Sequence, residues 1–152
     1  MPVRLRTLEA MMLLIAARML VRFVPLARWK GLLGDSQTPE NSANRDAADA
    51  NGNTELTVRQ CVAAIRRGSF RLPGTICLPQ AIGLQWMLAR RGISSTVTIG
   101  FMPVSRRGDA DDLHAWVDWN GHKILGDRGE NYASLLQFRK NFRSRNCKSG
   151  TV

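Results

Sequence analysis

Residues 77–101 read "CLPQAIGLQWMLARRGISSTVTIGF", and this stretch decides the class of fold. Proline is tolerated in the first turn of a helix, so Pro79 marks a start directly after Cys77. Ala81, Leu84 and Leu88 continue an apolar stripe at helical spacing, and Gly92 suits the residue just past the end. Val97, Ile99 and Phe101 then alternate with Thr96 and Thr98, the period-two pattern of a half-buried strand. A helix that opens on a cysteine and runs into a strand predicts an α+β domain.

A second stretch, "HAWVDWNGHKILGD" at 114–127, predicts a hairpin. Asn120-Gly121 is a strong signal for a type I′ turn, because both residues tolerate positive φ. The strands are expected at about Leu113 to Trp119 and His122 to Asp127, with Trp119 opposite His122. A regular ladder then puts His114 opposite Asp127, at a Cβ separation of roughly 4.5–5.5 Å. Asp118 shares that face but lies about 13 Å along the strand from His114 at ~3.3 Å per residue. It is expected to face Lys123 as a cross-strand ion pair. The other face carries Leu113, Ala115, Val117 and Trp119 against Ile124, with His122 beside Trp119, which excludes His122 as a partner of Asp127. His114 and Asp127 alone fit a satisfied polar pair at a sheet edge as well as they fit chemistry.

Upstream, residues 4–33, "RLRTLEAMMLLIAARMLVRFVPLARWKGLL", predict a helical arm with a break near Pro25. Its longest uncharged run in the first helix, Ala10 to Ala17, is eight residues, against the roughly 20 of a membrane span. Glu9, Arg18 and Arg22 around that run argue against a secretory signal. The arm is expected to dock on its own domain, on a partner or on a membrane surface. Residues 35–53, "DSQTPENSANRDAADANGN", contain no aliphatic or aromatic core residue larger than alanine apart from Pro39 and read as a flexible linker. After it, Thr57 and Gln60 form a capping-box pattern, Val58, Val62 and Ile65 recur at helical spacing, and Gly68 suits a stop. The chain thus divides into a helical arm (1–34), a linker (35–53) and a catalytic module (54–152).

At 152 residues and 44% hydrophobic content, the chain has the size of one domain with its own core. Three cysteines, Cys61, Cys77 and Cys147, cannot all pair and lack zinc-ligand spacing, which fits free thiols in a cytoplasmic protein. The net charge of +10 is uneven: Met1 to Gly34 carries six basic residues and one acidic, and "RKNFRSRNCK" at 139–148 adds five more basic residues. No nucleic-acid motif accompanies these runs, and a solvated basic face is the simpler reading.

A helix N-terminus favours a thiolate over a thiol, and its unclaimed N–H groups can bind an oxyanion. Cys61 shares the face of Val58 and Ile65 and reads as core filling. Cys77 is therefore placed as nucleophile, His114 as general acid–base and Asp127 to orient the imidazole.

The run from Cys-Leu-Pro through Arg-Arg-Gly-Ile, followed by His-Ala-Trp-Val, resembles the stand-alone B-type leader peptidases of lasso-peptide biosynthesis. These are transglutaminase-like, papain-like cysteine peptidases, and the likeness covers about Thr54 to Phe138. The resemblance implies a Cys77–His114–Asp127 triad, no cofactor and no metal. It also implies a ribosomally made leader–core precursor as substrate, and a separate ATP-dependent cyclase to act after cleavage. Larger relatives carry an N-terminal leader-recognition domain where this chain has an arm and linker, so recognition is expected from a separate small protein. Two other readings stay open: a transglutaminase-type acyltransferase, and a non-enzymatic basic adaptor for nucleic acid or membrane.

Overall fold

The computed structural model describes residues 2–25, 28, 35–37, 52–101, 113–127, 129 and 132–140. Helix α1 (Val3–Phe23) buries Thr7, Ala10, Leu14 and Ala17, a stripe at three- and four-residue spacing. It ends where the Val24 N–H donates to the Leu20 carbonyl ahead of Pro25. Ala10, Leu14 and Ala17 lie in the same core as Ile65, Ile82 and Leu84, so the helix docks on its own domain. Within the stretch 35–53, Asp35–Gln37 forms β1, a short edge strand.

Helix α2 (Gly52–Arg71) starts earlier and stops later than its cap and glycine predict. Thr57 lies inside it and returns its hydroxyl to the Asn53 carbonyl at 2.9 Å, so the capping box does not form. Upstream, Glu55 reaches Arg59 one turn on, at 2.6 Å, and Glu55 also sits in the first turn, where a carboxylate favours the helix dipole. Gly68 is not a stop. A Cβ there would lie 3.1 Å from Leu14 Cδ1, so the glycine serves the close approach of α2 to α1.

Helix α3 (Cys77–Ala89) is buried on every side, with Pro79, Ala81, Ile82, Leu84, Gln85, Met87 and Leu88 all enclosed. It closes as expected, the Gly92 N–H donating to Ala89 and the Ile93 N–H to Leu88. One side of α3 meets the sheet and another meets α1 and α2. Each fully buried Leu or Met side chain contributes roughly 1.5–3 kcal/mol, so this helix is the main source of apolar stabilisation. Buried Gln85 ties it to the sheet, donating to the Phe138 carbonyl at 3.0 Å.

The sheet comprises β1, β2 (Ser95–Phe101), β3 (Leu113–Trp119), β4 (His122–Leu125) and β5 (Ala133–Lys140), in the order β1-β5-β2-β3-β4 and antiparallel throughout. Val97 pairs with both Val117 and Phe138, and all three join the core. Thr96 and Thr98 lie on the opposite face yet are buried too. β2 is the middle strand, and the Thr98 hydroxyl is satisfied by Asp118 Oδ2 at 3.0 Å.

The hairpin turn forms as predicted, with Asn120 at φ 48° and Gly121 at φ 74°. Trp119 faces His122 and Asp118 faces Lys123, but the register then shifts and Val117 faces Leu125. One extra residue, Ile124, is thus taken up by a bulge, which brings Leu125 rather than Ile124 into the core. β4 ends there, so His114 and Asp127 are not a ladder pair. Around the facing pair of Asp118 and Lys123, Lys123 Nζ lies 5.1 Å above the Trp116 ring and the Asp118 carboxylate accepts from Thr98. The C-terminal basic run beyond Lys140, with Cys147, and the loop at 102–112 fall outside the described residues.

Candidate active site

Cys77 is the first residue of α3 and is half-buried. The first backbone bond of that helix runs from the Gln80 N–H to the Ile76 carbonyl. Pro79 has no N–H, so Cys77 and Leu78 own the donors that a helix start leaves without intrahelical partners. The approach to the cysteine is braced from three directions. Arg18 of α1 donates to the Pro73 carbonyl at 2.7 Å, the Thr75 hydroxyl donates to the Leu72 carbonyl at 2.7 Å, and Gln80 Nε2 donates back to the Thr75 carbonyl at 2.8 Å. The loop before Cys77 is therefore held by α1 as well as by the cysteine's own helix.

Cys61 is completely enclosed, and burial pushes its thiol up from the usual range. Desolvation disfavours the thiolate, leaving Cys61 as a small core residue. Of the two cysteines described, Cys77 is the accessible one.

His114 sits on β3, only 5% exposed. Its Nε2–H donates to the Gly126 carbonyl at 2.5 Å, which makes Nδ1 the basic nitrogen of the neutral ring. Tyr132 is tilted against the imidazole with ring centres 4.9 Å apart, and Trp116 stacks beside it at 6.3 Å. Trp116 in turn covers Gly100, the residue paired with His114 across β2, where a Cβ would come within 2.7 Å of the indole. The histidine thus has a fixed tautomer and a ring packed against two aromatic groups that also lean on each other.

Asp127 is exposed, and its Oδ1 accepts the Gly129 N–H at 3.0 Å, a local turn after β4. The acceptor on His114 is the residue before it. Gly126 has φ 85°, and a Cβ there would fall 2.7 Å from the Ala115 carbonyl, so the position requires glycine. The structure brings His114 and the Gly126–Asp127 peptide together, but among the described residues no hydrogen bond joins His114 to the Asp127 carboxylate or to Cys77. Sequence reasoning missed Gly126, Trp116 and Tyr132. A glycine directly after an apolar strand was the available signal for the first.

No curated protein and no solved structure matches the chain. The model of one family does match, over residues 11–139, which takes in α1 from Met11 onward, the cysteine helix, the histidine strand and nearly all of β5. With a cysteine-headed helix packed on an antiparallel sheet that carries the histidine, the chain belongs to the transglutaminase-like superfamily.

Proposed function

We propose that the chain is a cysteine peptidase that removes the leader from a ribosomally made lasso-peptide precursor, with Cys77, His114 and Asp127 as its catalytic residues. The observation that carries this reading is the pairing of an accessible cysteine at the first position of α3 with an imidazole whose Nε2 proton is already committed to Gly126. Nδ1 of His114 takes the Cys77 thiol proton, the resulting thiolate attacks the scissile carbonyl, and the N–H groups of Cys77 and Leu78 receive the developing oxyanion. The His114 imidazolium then gives its Nδ1 proton to the departing core amine, leaving a leader thioester. Water, deprotonated by Nδ1, releases the leader and restores the thiol. Catalytic hydrogen bonds are often long before substrate binds, so the thiol and the imidazole close on each other around the peptide. Asp127 supports His114 through the turn that aims the Gly126 carbonyl.

Superfamily members include acyltransferases as well as cysteine peptidases. Both share the thioester, and they differ in whether water or an amine takes the acyl group. Incubating the chain with a leader–core precursor peptide, followed by mass analysis, separates them. Hydrolysis yields a leader acid and a core with a free amine; transfer yields one heavier species. A separate leader-recognition protein accelerates cleavage, and an ATP-dependent cyclase consumes the freed core. An intact precursor after incubation with the chain and that recognition protein removes the peptidase reading.

A further inference from the structure

We propose that the outward face of α1 seats the protein on an anionic lipid surface. α1 belongs to the helical layer outside α3, where solvent should meet polar side chains. Instead, Leu5, Leu8, Met12, Ile15, Met19 and Phe23 all point outward, with Met12 64% and Phe23 69% exposed. At about 3.6 residues per turn these six fall on one stripe, opposite the buried Thr7, Ala10, Leu14 and Ala17. A run of exposed large apolar side chains along five turns marks a covered surface rather than scattered exposure.

Charge identifies the occupant. Arg4 and Arg22 are eighteen residues apart, five full turns, and therefore border the same edge of the stripe. The one carboxylate of α1, Glu9, is held by Arg91 at 2.7 Å and neighbours Arg90 at 3.8 Å, so it does not offset them. A second copy fits poorly. Antiparallel pairing of the stripe with itself sets the arginine edge against its own image, on two chains that each carry +10. An apolar stripe with a basic border is instead the pattern of a helix that lies in the headgroup region of an anionic bilayer. Among the described residues no helix is long and apolar enough to cross a membrane, and α1 keeps its other face in the protein core, so the contact is peripheral.

The test is cosedimentation of the full chain with vesicles of phosphatidylcholine alone or mixed with phosphatidylglycerol, at physiological salt. The wild-type chain is expected to pellet with the mixed vesicles and to stay in solution with phosphatidylcholine alone. Met12→Glu/Ile15→Glu, at two exposed positions, should abolish pelleting. Arg4→Glu/Arg22→Glu should weaken it by at least about tenfold. Circular dichroism confirms that each variant is folded, and precursor cleavage in solution should be unchanged, which separates this proposal from the peptidase reading. Failure of the wild-type chain to pellet with mixed vesicles overturns the proposal, as does unaltered pelleting of the Met12→Glu/Ile15→Glu variant. A lipid-free dimer by light scattering that this variant breaks, without any pelleting, assigns the face to a second copy.

Discussion

Cys77 and Cys61 differ by environment rather than by type. One heads a helix beside unclaimed N–H groups, and the other is enclosed with its thiol pushed up by burial. Cys77→Ala should therefore abolish cleavage of the precursor, while Cys61→Ala keeps it at the cost of a small core cavity; a mass-spectrometric assay of both variants checks this. His114→Ala should lower the rate by about 10² to 10⁴-fold. For Asp127 the substitution itself is informative, because its carboxylate accepts the Gly129 N–H and the preceding carbonyl accepts from His114. Asp127→Asn keeps an oxygen acceptor for the turn and should retain clearly more activity than Asp127→Ala. Equal, near-complete loss in both would mean that the negative charge itself acts on the imidazole.

At the scale of elements, the loop before Cys77 depends on α1 through Arg18. Arg18→Ala removes an exposed hydrogen bond worth at most about 1 kcal/mol, so kcat/KM should fall by up to roughly fivefold with an unchanged circular dichroism spectrum. Leu14→Ala, inside the core between α1, Gly68 and Gly83, should instead lower stability by about 2–5 kcal/mol in urea titration. What could be read in advance follows the same division. The cysteine helix, the β2 strand and the Asn120-Gly121 turn were legible because each rests on local chemistry: proline at a helix start, strand alternation, positive φ. The bulge at Ile124 was not, since it is decided by which of two adjacent apolar residues fits the core, and Leu125 does. With the ladder broken there and β4 ending at Leu125, the histidine's acceptor is the Gly126 carbonyl rather than the Asp127 carboxylate. Gly68 misled for a related reason, because a glycine that ends a helix and one that admits a neighbouring helix look alike in sequence.

Over the whole molecule, one ion pair ties the beginning of the chain to the end of the cysteine helix. Arg91 grips both oxygens of Glu9, at 2.7 and 3.2 Å, across more than eighty residues of sequence, and also donates to the Met87 carbonyl. The same hydrogen bond from Arg91 lowers Glu9 below the ordinary carboxylate range against an opposing cost of burial, and it raises Arg91. A carboxylate that titrates lower in the folded state than in the unfolded chain adds stability above its unfolded value, about 4.3. That stability is lost as pH falls through the folded value. The wild-type chain should therefore lose stability as pH falls below about 4.3, and Glu9→Gln should flatten that acid limb. At neutral pH the same variant should be less stable by about 1–3 kcal/mol, since it removes a charge-assisted contact that is mostly shielded from solvent. Thermal melts of both proteins across the acid range measure the two effects together. Parallel pH profiles in wild type and variant would show that α1 is held to the end of α3 by apolar packing alone.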